Sequence, residues 1–199
     1  AVAICGSPRF GGATETLLRA ALDALGRRGI PGRLLTLRLK RVFPCSRCGR
    51  CRADGESVCA LEGDDFALLF RAVRDADLVL IGIPAERGAA VPELDAFLDR
   101  AGRVALAGGR LFARKIGGPL MVMRQTASNR AAGRLITWFL AQGMVVCSPS
   151  GGSRPSGAEA VALRDDEAGA SALSAFADTL AWLAAAGAAD PASAPPAPP

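Results

Sequence analysis

The chain has 199 residues, 50% of them hydrophobic and 22% charged, a balance that suits one core-forming domain and excludes an extended polar chain. Its net charge of +5 is mild, and with no aromatics interleaved among basic patches it argues against nucleic acid as a partner. Arg, Asp or Gly breaks every apolar run short of the roughly 18 residues a membrane span needs, which predicts no membrane insertion. The start AVAICGSPRF lacks the basic n-region of a secretory signal, so a cytoplasmic location is expected. His and Tyr are both absent, which removes Ser-His-Asp and Cys-His nucleophiles, a His-ligated metal and a Tyr acid. No catalytic side chain is expected, and the chemistry falls to a cofactor.

Residues 1–5 read as a short apolar strand, followed by the loop GSPRFGGA. From Thr14 a helix carries Leu17, Leu18, Ala21, Leu22 and Leu25 on one face, with Arg27 and Arg28 in its last turn and Gly29 at its end. A second strand is expected at 33–39, and a cysteine segment at 44–61 then interrupts the alternation. Asp64 or Asp65 caps a helix with Phe66, Leu69, Phe70 and Val73 on one face. The run 76–83 is apolar throughout, as a central parallel strand should be. A loop through Pro84 and Gly88 leads to a helix opened by Pro92, with Leu94, Phe97 and Leu98 inward. A fourth strand follows at 117–124, then a helix capped by Ser128 and carrying Leu135, Ile136 and Phe139. A fifth strand at 144–147 and a helix at 165–186, with Leu173, Phe176, Leu180 and Leu183, complete the pattern. It predicts one doubly wound α/β domain over 1–187, with a disordered Pro/Ala-rich tail at 188–199. Cys5 and Cys147 read as small core residues, and Trp138 and Trp182 as packing residues.

Ligands of a doubly wound sheet bind beyond the carboxyl ends of its strands, which points to the loop after strand 1. Ser7, Thr14 and the Arg9 guanidinium are polar, while small residues such as Gly12 and Ala13 let backbone N–H groups close around an anion at the positive end of a helix. The spacing matches neither Walker A nor G-x-G-x-x-G and suits a monophosphate; the alternative is a plain glycine-rich turn.

Cys45, Cys48, Cys51 and Cys59 form Cys-x2-Cys-x2-Cys-x7-Cys. Three thiolates at two-residue gaps can wrap one corner of a cubane and a fourth can close it, and bacterial ferredoxins use the same first spacing for a [4Fe–4S] cluster. Gly49 and Gly55 permit the tight turns. Zinc commonly takes two separated Cys-x2-Cys pairs, so the spacing favours iron–sulfur over zinc or a metal-free segment. Arg38, Lys40, Arg41, Arg47, Arg50 and Arg52 stand nearby. They would ease reduction of a cluster and offer a docking face to an acidic carrier, or form an ordinary solvated loop.

GSPRFGGATETLL resembles the phosphate loop of the NADPH-dependent FMN reductase-like flavoproteins. That resemblance implies a flavodoxin-like five-stranded parallel sheet of order 2-1-3-4-5, with the FMN phosphate held by Ser7, Arg9 and Thr14. The family usually has Asn where Ala13 stands. Residues 84–100, PAERGAAVPELDAFLDR, resemble the family's loop and helix after strand 3, through Pro84, Gly88, Leu94, Phe97, Asp99 and Arg100. This implies flavin contacts from Pro84, Ala85, Glu86, Arg87 and Gly88. Where the family commonly carries Tyr or Phe, this chain has Glu86 and Arg87. A carboxylate beside the ring would lower the flavin potential, unless both side chains point to solvent. LITWFLAQGMVVCSP is similar to the family's fourth helix and fifth strand, and Arg124, Gln125 and Thr126 fall where they could reach the flavin's polar edge.

The cysteine segment, preceded by Pro44 and followed by Asp64 and Asp65, resembles that of the family's iron–sulfur flavoprotein branch. This likeness implies electron transfer between a [4Fe–4S] cluster and FMN, NAD(P)H as a candidate reductant, and a ferredoxin-like carrier or small acceptor. It also implies a homo-oligomer, dimer or tetramer, that brings the cluster of one chain near the flavin of another. Two other readings stand beside it: an NAD(P)H-dependent FMN or quinone reductase without a functional cluster, and a metal-binding scaffold without flavin.

Overall fold

The computed structural model describes residues 1–53, 58–84, 92–122, 130–149 and 167–189. Strands β1 (Val2–Cys5), β2 (Arg33–Thr36), β3 (Leu78–Pro84), β4 (Ile116–Val122) and β5 (Val145–Val146) form one parallel sheet in the order β2-β1-β3-β4-β5. Between and after them run α1 (Ala13–Gly26), the single turn α2 (Arg50–Ala53), α3 (Phe66–Arg74), α4 (Pro92–Ala107), α5 (Arg130–Ala141) and α6 (Glu167–Ala189).

The central strands are apolar throughout because both faces of the sheet are covered. Side chains alternate across the pleat. Ala3 and Cys5 meet Leu17, Leu18 and Leu25 of α1 and Phe176 and Leu180 of α6. Val2 and Ile4 share the opposite core with Phe66 and Leu69 of α3, Leu94 and Phe97 of α4, and Phe139 of α5. Strand order reverses between β1 and β3, where Cys5 stands beside Gly82. The loop after β1 therefore opens at the switch point.

Several boundaries differ from the sequence reading. β2 stops at Thr36; Leu37 still bonds Cys5 O at 3.0 Å, but Leu39 then turns left-handed at φ 62° and the chain leaves the sheet. α1 begins at Ala13 and ends at Gly26. Arg28 lies past it and donates to both carboxylate oxygens of Asp178 at 2.6 and 2.7 Å, and to Ser174, clamping α6 onto α1. α6 runs from Glu167 to Ala189, and Ser128 and the tail from 190 onward lie outside the described residues. Cys5 is fully buried and Cys147 half-buried against the same core. Trp138 packs as expected, its Nε1 donating to Leu98 O at 2.9 Å. Trp182 does not, at 67% exposure. No described helix is long and apolar enough to cross a membrane.

Gly82 lets α1 approach the switch point. A Cβ there would lie 2.6 Å from Leu18 Cδ1 and 3.0 Å from Thr14 Cγ2. Gly82→Ala is expected to cost about 1–3 kcal/mol by overpacking, read as a lower urea midpoint at unchanged m-value.

Candidate functional site

Beyond β1 the Gly6 N–H still bonds Gly82 O at 2.8 Å, which fixes where the loop lifts off the sheet. Ser7 is buried at 4% exposure and its Oγ accepts the Arg9 N–H at 3.3 Å. Gly11 adopts φ +59°, a left-handed turn that suits glycine. Gly12 occupies the N-cap of α1 with no side chain over the helix end, so the first N–H groups face the loop. Thr14 is buried and Arg9 is exposed. The structure thus places Ser7, Arg9, Gly12, Ala13 and Thr14 around the amino end of α1. Pro84 ends β3 in register with Val122. Ala85, Glu86, Arg87, Gly88, Arg124, Gln125 and Thr126 lie outside the described residues.

Two residues of this loop region were assigned no such role from sequence. Glu15 is 4% exposed. Its carboxylate accepts Gly11 N–H at 3.2 Å, Arg38 Nη1 at 3.1 Å and Arg19 Nη2 at 2.8 Å. Arg38, expected on a docking face, instead braces the loop, donating also to Arg9 O at 3.1 Å and covering the Phe10 ring at 4.6 Å. Only the Glu15–Arg19 spacing, four residues apart on one helix, carried a sequence signal. Burial alone would raise the Glu15 carboxyl, but the bonds from Arg19, Arg38 and Gly11 outweigh it and hold it below the ordinary carboxylate value. Beside the loop lies a cavity of about 170 Å³, bordered by Ser7, Pro8, Arg38, Lys40 and Glu93.

The cysteine segment leaves the same edge of the sheet. Cys45, Cys48, Cys51 and Cys59 all border one cavity of about 30 Å³, walled on the far side by Arg100, Arg103 and Val104 of α4. The chain curls around it through left-handed Arg47 at φ 55° and Gly49 at φ 76°. A side chain is uncommon in that region, and Arg47 adopts it at an exposed position. The Arg47 N–H points at Cys45 Sγ at 3.4 Å. The exposed Cys48 thiol is pushed below its ordinary value by the Arg50 backbone N–H and then the Ser46 hydroxyl. Cys51 and Cys59 pack against the α3–α4 core. Among the described residues, no three His, Cys, Asp or Glu side chains are arranged to hold a single metal ion.

Arg100 closes the site. It is buried at 1% exposure, a position a guanidinium tolerates only when paired and hydrogen-bonded. Nη1 bonds Asp64 and Phe43 O, the latter at 3.1 Å; Nη2 bonds Cys59 Sγ at 3.2 Å and Leu61 O at 2.9 Å. Its Cζ lies 4.0 Å over the Phe66 ring. Asp64 also accepts the N–H groups of Phe43 and Phe66 at 2.8 and 3.2 Å. Asp65 holds the N-cap position of α3 without capping it. Its carboxylate turns to Arg41 N–H and Lys40 Nζ, both at 2.9 Å, which hold it below the ordinary value. Both flanks of the cysteine segment are thereby clasped to α4 and α3.

A five-stranded parallel sheet of order 2-1-3-4-5, flanked by helices and with a glycine-bearing loop at its switch point, defines a protein of the flavodoxin-like class. The chain belongs to the NADPH-dependent FMN reductase family, an oxidoreductase family matched over residues 1–157, and its relatives place it in the iron–sulfur flavoprotein branch. It is 30% identical over 154 residues to an iron–sulfur flavoprotein of Archaeoglobus fulgidus, covering 76% of each chain. It is 29% identical over 147 residues to one of Methanocaldococcus jannaschii, covering 73% of this chain and 74% of that one. Among solved structures, RosB with bound 8-demethyl-8-formylriboflavin-5'-phosphate superposes with a TM-score of 0.69 at 16% identity, covering 96% of this chain and 80% of RosB, a likeness of fold.

Asp64→Ala leaves the Arg100 charge uncompensated and is expected to destabilise the protein by about 3–5 kcal/mol, measured by chemical denaturation. The Glu15 carboxyl, depressed in the fold, contributes stability in full above its unfolded pKa of about 4.3 and loses it as pH falls through the folded value. Glu15→Gln should therefore flatten the acid limb of the stability–pH curve while also lowering stability at neutral pH.

Proposed function

We propose that the protein is an electron-transfer flavoprotein that carries FMN on the loop before α1 and a [4Fe–4S] cluster on Cys45, Cys48, Cys51 and Cys59. The observation that carries this reading is the common edge of the two sites. They rise from the carboxyl ends of neighbouring strands β1 and β2, and Arg38, two residues past β2, is bonded directly to the phosphate loop. Four thiols around one cavity supply the donor set of a cluster, and the nearby guanidinium suits the net negative charge such a cluster would carry. Three cysteines at two-residue gaps suit a cubane better than zinc, which commonly takes two separated Cys-x2-Cys pairs.

In this reading Ser7, Thr14 and the first N–H groups of α1 bind the phosphate dianion, with Arg9 adding charge from the rim. Glu15 takes no phosphate contact; it fixes Arg38 and the Gly11 N–H and so sets the shape of the cradle. When bound, the flavin and the cluster supply two-electron and one-electron redox chemistry, with NAD(P)H as the candidate reductant. With Arg38 and Lys40 engaged internally, exposed Arg41, Arg47, Arg50 and Arg52 form the face for an acidic, ferredoxin-like carrier, where opposite charge mainly speeds encounter. Phe10 and Leu39, 85% and 97% exposed, flank Arg38 and offer an apolar rim that a second copy of the chain would cover.

Anaerobically purified protein should contain about four iron, four acid-labile sulfide and one FMN per chain. FMN without iron would indicate a plain reductase, and zinc without either would indicate a scaffold. Cys48→Ser should abolish iron binding and leave FMN in place; unchanged iron overturns the cluster assignment. Arg9→Ala removes a charged phosphate partner and should weaken FMN retention roughly tenfold or more, measured by fluorescence of released flavin.

A further inference from the structure

Arg100 is the largest of the fully buried side chains among the described residues, and its placement does not serve its own donors best. Nε finds no acceptor, while Nη2 is shared between a carbonyl and the sulfur of Cys59. Cys45, Cys48 and Cys51 are brought together locally by the turns at Arg47 and Gly49. Cys59 has no such device among the described residues. It lies eight residues beyond Cys51, and what holds it is the grip of Arg100 on its sulfur, on Leu61 O two residues later and on Asp64. The fork geometry is essential here: a guanidinium can reach Phe43, Asp64, Leu61 and Cys59 together, whereas an ammonium is a single point of charge.

The same contact has an electrostatic consequence. An N–H donated to a ligand sulfur, from a fixed positive charge in a site of low local dielectric, favours the more negative, reduced form of a cluster and raises its potential. Asp64 offsets this only in part, because it engages Nη1 while Nη2 faces the sulfur. We propose that Arg100 is the positioning residue of the thiol site: it seats Cys59 as the closing ligand and sets the cluster potential upward. The proposal rests on the reading of the four cysteines as cluster ligands.

The test compares anaerobically reconstituted full-length protein with two variants, measuring iron and sulfide content, iron loss to a ferrous chelator, and the midpoint potential by EPR-monitored titration. Arg100→Lys keeps the charge and loses the fork; iron loss should be at least roughly tenfold faster. The double variant Arg100→Gln/Asp64→Asn removes both charges, so no unpaired ion is left buried and the fold should persist. In it the reduction equilibrium of the intact cluster should fall roughly tenfold, about 59 mV for a one-electron couple. A wild-type potential in the double variant overturns the proposal whatever the iron-loss rates, because a merely structural role would loosen iron and leave the potential in place. Wild-type iron loss in Arg100→Lys overturns the seating of Cys59. A wild-type chain that takes up no iron overturns the cluster reading itself, and this inference with it.

Discussion

A guanidinium at 1% exposure cannot stand alone in a protein interior, and the way Arg100 is satisfied organises this molecule. Its partners are not on its own helix. They come from the two ends of the cysteine segment, at Phe43 just before it and at Cys59, Leu61 and Asp64 at its close. The cost of burying the charge is offset only when both flanks are in place. The ion pair thus specifies the geometry of an otherwise irregular loop, and α4, rooted in the core through Leu94, Phe97 and Leu98, serves as the rigid wall against which that loop is set.

The loop before α1 repeats the logic with the signs exchanged. Here the buried group is the Glu15 carboxylate, and its partners are Arg19 on the same helix, the Gly11 N–H and Arg38 from beyond β2. In each case one ionised side chain on a helix collects donors or acceptors from a loop that has no regular structure to order it. Arg38 belongs to the chain leading into the cysteine segment, so its side chain ties that stretch to the loop before α1.

The elements themselves were legible in the sequence because each leaves a local signature. Leu78–Pro84 is apolar throughout, Phe66, Leu69, Phe70 and Val73 recur at helical spacing, and Cys45, Cys48 and Cys51 sit at fixed short gaps. What was not legible is what depends on distant pairing. Arg100 stood out only as part of a family-like helix end, with no hint that it would reach Asp64 and Cys59, 36 and 41 residues away. Arg38 looked like one more cation in a basic run. Asp65 was one of two candidate caps, and the structure gives the Phe66 N–H to its neighbour Asp64, since Asp65 is drawn off by Lys40 and Arg41. Trp182 misled by composition, because its position on a helix says nothing about which side of that helix is covered.

The clamp between Arg28 and Asp178 spans 150 residues of chain. Contacts of that sequence separation are made late, after the entropy of closing a long loop has been met. α1 shares its core with α6, so an emerging polypeptide can complete the packing of the β1–α1 unit only once residues 167–189 have been synthesised. The amino end of α1 therefore gains its support from α6 late in folding, after the sheet it packs on has formed.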